Sequence, residues 1–137
     1  MGDIWVCVKS LIIFKRRVLI IKRSNYSDIG QGEWDIPGGG MQFGETLLEC
    51  LNREIKEETG LTVRVDRLLY AMTTQISPTR QIVGLTYLSH ADTEEVILSQ
   101  EHTDFLWAIK EQLKERLPKK TLDDYTGNSV FDILNID

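Results

Sequence analysis

Apolar positions along this chain recur in two different periods. From Ile4 to Phe14 and from Val18 to Arg23 aliphatic and β-branched residues run almost unbroken, which predicts two strands with Lys15-Arg16-Arg17 as the charged turn of a hairpin. Residues 24 to 34 are polar and predict a loop. Thr62 to Ile76 and Gln81 to His90 are again rich in β-branched and aromatic residues, and Ser77-Pro78-Thr79 between them marks the turn of a second hairpin.

Between the two hairpins the period changes. Leu47, Leu48, Leu51 and Ile55 fall on one stripe of a helix advancing about 100° per residue, and that stripe must face a core. Thr46 supplies an N-cap with Glu49 as its capping-box partner, and Gly60 supplies the stop. Downstream, Leu106, Ile109 and Leu113 give Phe105 to Leu117 a helical spacing, and Ser129 to Leu134 predicts a last short helix. The order β-β-α-β-β-α predicts an α/β (α+β) fold, a mixed β-sheet sandwiched by helices.

The 137 residues fit one domain, 1–137, with one core. A net charge of −5 carries no general basic footprint, so no nucleic acid polymer is expected as a partner. Cys7 and Cys50 do not make a disulfide framework and suit a reducing, cytoplasmic location, where both read as packing residues. With neither a signal-like start nor an apolar run near 18 residues, no membrane partner is expected.

The chemistry is concentrated in the predicted helix. Glu54, Glu57 and Glu58 fall within about a third of its circumference, and Glu58 projects into the apolar stripe beside Leu47 and Leu51. Ionised carboxylates at such a boundary are costly unless a cation compensates them. With oxygen ligands and no His or Cys in the cluster, the cation is a hard one, Mg2+ with Mn2+ as the substitute. Just upstream, Pro37 fixes the entry to Gly38-Gly39-Gly40, where the backbone can approach a ligand closely.

Gly39, Glu45, Arg53, Glu54, Ile55, Glu57, Glu58, Gly60 and Leu61 fill the pattern G-x5-E-x7-R-E-U-x-E-E-x-G-U, with U a bulky aliphatic. The segment resembles the signature of the Nudix hydrolases at every fixed position. That resemblance implies an α/β/α sandwich and Mg2+-dependent hydrolysis of a nucleoside diphosphate linked to a group X. It implies that Glu57 and Glu58 bind metal, that Gly38 adds its carbonyl, and that Glu54 is either a further ligand or the base. Glu45 and Arg53 would brace the loop and helix by ion pairing.

Beyond the box, the family analogy makes Arg23 a candidate for substrate phosphate, against the alternative of a solvated strand end, with Arg80 a weaker one. Ser99 to Trp107 resembles the Glu-His stretch that precedes a Trp in many family members. It makes Glu101 a fourth carboxylate, ligand or base, and His102 its orienting neighbour or a substrate contact, while Trp107 packs in the core. The small size leans toward nucleoside triphosphate pyrophosphohydrolase activity, oxidised nucleotides included. ADP-ribose, dinucleoside polyphosphates and nucleotide sugars stay open, as does a noncatalytic nucleotide-sensing module. Trp5, Tyr26, Tyr70 and Tyr87 are the aromatic candidates for stacking a base, and the predicted strands leave a homodimer possible.

Overall fold

In the computed structural model, which describes residues 1–25 and 31–137, the two long apolar runs become β1 (Asp3–Phe14) and β2 (Arg17–Arg23). They join through Lys15 and Arg16, both at positive φ. The second hairpin is β5 (Val63–Ser77) and β6 (Arg80–Ala91), and β1 pairs with β6 in parallel from Asp3↔Arg80 to Ile13↔His90. Alternate residues of β1 and β2 go to opposite sides. Leu11, Ile13, Val18 and Ile20 join one core cluster, Val8, Ile12, Leu19 and Ile21 the other, so both faces are buried and the apolar runs need no alternation.

One cluster is roofed by α1 (Leu47–Thr59) and the other by α2 (Lys110–Arg116), α3 (Lys119–Gly127) and α4 (Val130–Ile133). The result is the expected mixed sheet between helical layers. Its 7 strands follow the path β3-β2-β1-β6-β5, with β4 added on β1 and β7 on β2.

Two short strands were not legible in the sequence. β3 (Trp34–Asp35) pairs with β2, so Trp34 belongs to the sheet and not to the loop expected over 24–34. β4 (Gly38–Gly40) pairs with β1 through Lys9↔Gly38 and Cys7↔Gly40. β1 and β2 face each other only at Ile13↔Val18 and Phe14↔Arg17; beyond that they diverge, and the β3–β4 segment wedges between them. That divergence opens the sheet where the chemistry lies.

The helix expected from Phe105 to Leu117 is corrected. Residues 102–108 form β7 (His102–Ala108), which pairs with β2, and α2 begins only at Lys110. Leu106 packs on one core cluster and Trp107 on the other, so a strand buried on both faces imitates helical spacing. Ser129 to Leu134 does hold the short helix α4, while α3 was not anticipated. Among the described residues no helix is long and apolar enough to cross a membrane.

Candidate active site

The site is built outward from α1. Thr46 Oγ1 accepts from the Glu49 N–H at 3.2 Å while Glu49 Oε1 accepts from the Thr46 N–H at 2.9 Å, and Gly60 ends the helix at φ 74. Leu51, Ile55, Cys50 and Glu58 are buried, but Leu48 is 46% exposed and does not belong to the core-facing stripe assigned to it. At two of the three glycines of the turn, Gly38 and Gly39, there is no space for a side chain, whereas Gly40 is open. A Cβ on Gly39 would lie 2.5 Å from the Glu54 carboxyl, and one on Gly38, at φ 149, would collide with the Val8 carbonyl.

Arg53 ties turn and helix together. Its guanidinium donates to both oxygens of Glu45 at 2.6 and 2.9 Å, to the Gly40 carbonyl at 3.1 Å, to Glu54 at 2.9 Å and to Glu57 at 3.3 Å. The Arg53 bond and the Gln42 N–H hold the Glu45 carboxyl down at about 2. Arg53 thus ion-pairs with Glu45 and with two of the four acidic residues on the helix, Glu54 and Glu57.

Glu58 is the most buried of these, and its Oε1 accepts from the Gly38 N–H at 2.7 Å. Burial pushes it up to about 8 against the opposing Gly38 bond, with the nearby Glu54 adding to the rise. Burial likewise raises Glu54, against the Arg53 bond. His102 Nε2 stands 3.6 Å from Glu58, and burial and then Arg23 lower its own affinity for protons. Both shifts work against an ion pair across this contact. His102 Nδ1 meets Ser99 Oγ at 3.2 Å.

Glu54, Glu57, Glu58 and Glu101, together with Ser99 and Gln100, line one hollow of about 320 Å3. The four carboxylates singled out from sequence are thus neighbours. Among the described residues no three His, Cys, Asp or Glu side chains are gathered closely enough to hold a metal ion, because Glu54 and Glu57 turn to Arg53 and Glu58 to Gly38. The chemistry of the donors nonetheless fits a hard divalent cation: all are oxygens, and two are carboxyls whose burial penalises their charge until positive charge arrives.

Glu54, Glu58 and Glu101 also line a second, larger cavity of about 460 Å3 in the opened sheet. Here Lys9 and Arg23 share one carboxylate: Lys9 Nζ bonds Asp35 Oδ2, and Arg23 Nη2 reaches the same oxygen at 3.0 Å. Burial alone would raise Asp35, but Lys9 and Arg23 outweigh it and hold the carboxyl below its ordinary range. Arg23 is therefore not a solvated strand end. Lys9 and Asp35 were not singled out in the sequence, where the only signal was a lysine interrupting an apolar run.

Beyond this cluster the cavity floor follows the sheet register. Lys9, Thr86 and Tyr70 form one row across β1, β6 and β5; Cys7, Gly84 and Met72 form the next; Trp5, Ile82 and Thr74 form the third. Thr121, Asp124 and Tyr125 of α3 supply the facing wall. Trp5 and Tyr70 thus reach the cavity, with the Arg80 guanidinium stacked 3.7 Å over the Trp5 ring. Tyr87 packs toward α1 instead, Trp107 packs against Phe14 as expected, and Tyr26 lies outside the described residues. By strand alternation Cys7 faces the cavity, whereas Cys50 is buried in the α1 core, so only the latter is a packing residue.

The profile of the NUDIX domain family matches residues 6–126, and the chain belongs to that family. It is 33% identical over 103 residues to a MutT-like protein of Streptomyces ambofaciens, covering 74% of this chain and 60% of that protein. To the nucleoside triphosphatase NudI of an Enterobacter species it is 28% identical over 105 residues, 69% of this chain and 74% of that one. An ADP-ribose pyrophosphatase of Methanocaldococcus jannaschii is 44% identical over 64 residues, 47% of this chain but only 37% of the relative's length. The crystal structure of a MutT protein from Methanosarcina mazei superposes with a TM-score of 0.84 at 24% identity, covering 96% of both chains.

Proposed function

We propose that this chain hydrolyses a phosphoanhydride bond in a nucleoside diphosphate linked to X, and that a nucleoside triphosphate, cleaved to monophosphate and pyrophosphate, is its substrate class. The observation that carries this reading is the shared wall between the two hollows: Glu54, Glu58 and Glu101 face both the acidic hollow and the larger cavity. A polyphosphate lying across that wall would meet acidic metal-binding groups on one side and the cations Lys9 and Arg23 on the other, which is how phosphoryl transfer is served by positioning and charge.

In this reading Glu57, Glu58 and the Gly38 carbonyl would hold Mg2+, with Glu54 as a further ligand or the base and Glu101 as a ligand or a second candidate base. Bound there, Mg2+ supplies positive charge against the phosphate oxygens. Lys9 and Arg23 orient the phosphate chain, Asp35 holds both cations in place, and Arg53 with Glu45 keeps the carboxylates in register with the glycine turn. A cavity of about 460 Å3 accommodates a nucleoside. The relative called a nucleoside triphosphatase supports the triphosphate reading, and the one called an ADP-ribose pyrophosphatase sets the competitor to be tested.

The test is a product assay with and without Mg2+ over nucleoside triphosphates (oxidised dGTP included), ADP-ribose, dinucleoside polyphosphates and nucleotide sugars, with Glu57→Gln and Glu58→Gln beside the wild type. Triphosphate turnover that EDTA stops and both substitutions abolish is expected. Intact nucleotides throughout, from a folded protein that binds them, would replace the enzyme by a noncatalytic sensor.

A further inference from the structure

On the side of the sheet opposite the large cavity, α1 covers the strands only in part. Strand alternation puts Ile4 and Val6 on the same side as Val8, which belongs to the core under α1. The register then sets rows across β1, β6 and β5: Ile4 beside Gln81 and Gln75, Val6 beside Val83 and Thr73, Val8 beside Leu85 and Ala71. The Met41 N–H donates to the Val6 carbonyl at 2.8 Å, so Met41 extends the second row on the β4 side. Val8 is fully buried, but cover is lost along β1 toward its start, where Val6 is half-buried and Ile4 is 65% exposed. Leu68, opposite Tyr87, is 43% exposed on the same side.

Helix and loop border this surface. Cys50 and Arg53 turn to the β4 carbonyls of Gly39 and Gly40, and Leu48 stands about 160° round the helix from Cys50, on the flank toward β6 and β5. That position explains its exposure. Phe43, two residues beyond Met41, is fully exposed at the turn before α1. Ile4, Met41, Phe43, Leu48 and Leu68 together leave roughly 550 Å2 in water, and the half-buried rows between them bring the patch to the order of 700 Å2. A lone soluble chain rarely exposes more than about 600 Å2 of contiguous apolar surface, whereas each partner in a stable interface buries about 800 Å2.

We propose that this face docks a second copy of the chain about a two-fold axis. The area is close to what a stable dimer needs, about a tenth of the 8037 Å2 surface of one copy. Charge points the same way. Two copies at −5 each repel, yet the polar members of the rows, Thr73, Gln75 and Gln81, are all neutral, so the patch brings no like charges together and is its own complement under a two-fold. With no cation in those rows, a polyanion has nothing to hold there. Pairing through the edge of β5 is also disfavoured, because its ladder is irregular at Val65/Arg67, Leu68/Tyr70 and Gln75/Ser77 and the strand bends at such points. The two copies therefore meet face to face.

Sedimentation velocity on the whole chain between about 1 and 100 μM tests this. Expected is a species of twice the 15.7 kDa chain mass that grows with concentration. Ile4→Glu and Leu68→Glu should each weaken it at least about tenfold, with circular dichroism confirming the fold. Phe105→Glu, at an exposed apolar residue of β7 far across the sheet from β5, should leave it unchanged. Amide exchange on the unaltered protein needs no substitution: residues 41–48 and 71–75 should exchange more slowly at high concentration, and β7 equally at both. A monomer throughout, a dimer that survives both substitutions, or protection that falls elsewhere would overturn the assignment. So would a monomer that floats with phosphatidylcholine vesicles, which would give the face to a lipid surface.

Discussion

The Gly38 N–H donates to Glu58 Oε1 across 2.7 Å, joining the glycine turn to the buried face of α1 through a single carboxyl. That carboxyl sits at about 8 in the fold against 4.5 as its ordinary value, burial being the main cause. Between those values the folded protein binds a proton that the unfolded chain releases, so stability falls as pH rises through the window. Burial lowers His102 below its ordinary 6.5, which works in the opposite sense but only on the acid side of that value. The expectation is a metal-free protein that loses roughly 1–2 kcal/mol between about pH 6.5 and 8, and a Glu58→Gln variant whose profile is flatter. Urea denaturation in EDTA across that range measures both. A slope that persists in the variant would place its origin elsewhere.

The two glycines of the turn should fail in different ways. At Gly38 an added Cβ strikes the Val8 main chain at a φ that side chains rarely adopt, so Gly38→Ala should lose about 1–3 kcal/mol of stability. At Gly39 the three atoms nearest the added methyl all belong to the Glu54 carboxyl, the end of a flexible side chain that can turn away. Gly39→Ala should therefore stay close to wild type in urea yet lose on the order of a hundredfold in kcat, because Glu54 is displaced from the shared wall. Denaturation and steady-state kinetics on the pair separate the two effects, and a Gly39→Ala enzyme with normal kcat would remove Glu54 from the chemistry.

How much of this was readable beforehand follows the range of the interactions. Helix α1 announced itself because its caps, stripe and stop all lie within the residues Thr46 to Gly60. β7 did not, since a strand covered on both faces shows no alternation, and Leu106, Ile109 and Leu113 counterfeit a helix. The short helix α3 carries few apolar residues, and only Tyr125 of them is fully buried, so its spacing was too sparse to register. Lys9, Asp35 and Asp124 gain their meaning from pairings made by the fold: β1 against β6, β3 against β2, α3 across the sheet. No local pattern marks a residue whose partner lies across a register set elsewhere in the chain.

Asp35 offers a direct reading of the cation pair. Replacing it by Asn keeps the shape but leaves Lys9 and Arg23 with no carboxylate between them. The two cations should then repel and move apart, raising KM for a triphosphate several-fold more than kcat falls. Because Asp35 is held below its ordinary range, its contribution to stability is present above the unfolded carboxyl value and disappears as pH falls toward the folded one. Asp35→Asn should accordingly remove part of the acid limb of the stability profile. KM and kcat together with urea midpoints at acid and neutral pH test this. An unchanged KM would mean that Lys9 and Arg23 do not touch phosphate.

Arg53 provides the sharpest separation of holding from catalysing, since it reaches Glu45, Glu54, Glu57 and the Gly40 carbonyl without lining either hollow. Nε and Nη2 make the two-point grip on Glu45, Nη2 also reaching the Gly40 carbonyl, and Nη1 serves both Glu54 and Glu57, a spread that a lysine ammonium cannot reproduce. Arg53→Lys keeps the charge and loses the geometry. It should reduce kcat by about 10- to 100-fold, the usual range for residues that orient ligating groups, with little change in KM. It should also shift the Mg2+ dependence to higher concentrations, because Glu54 and Glu57 lose their common anchor. A magnesium titration of kcat on the wild type and the variant distinguishes this from simple charge balance, for which the lysine would restore activity in full.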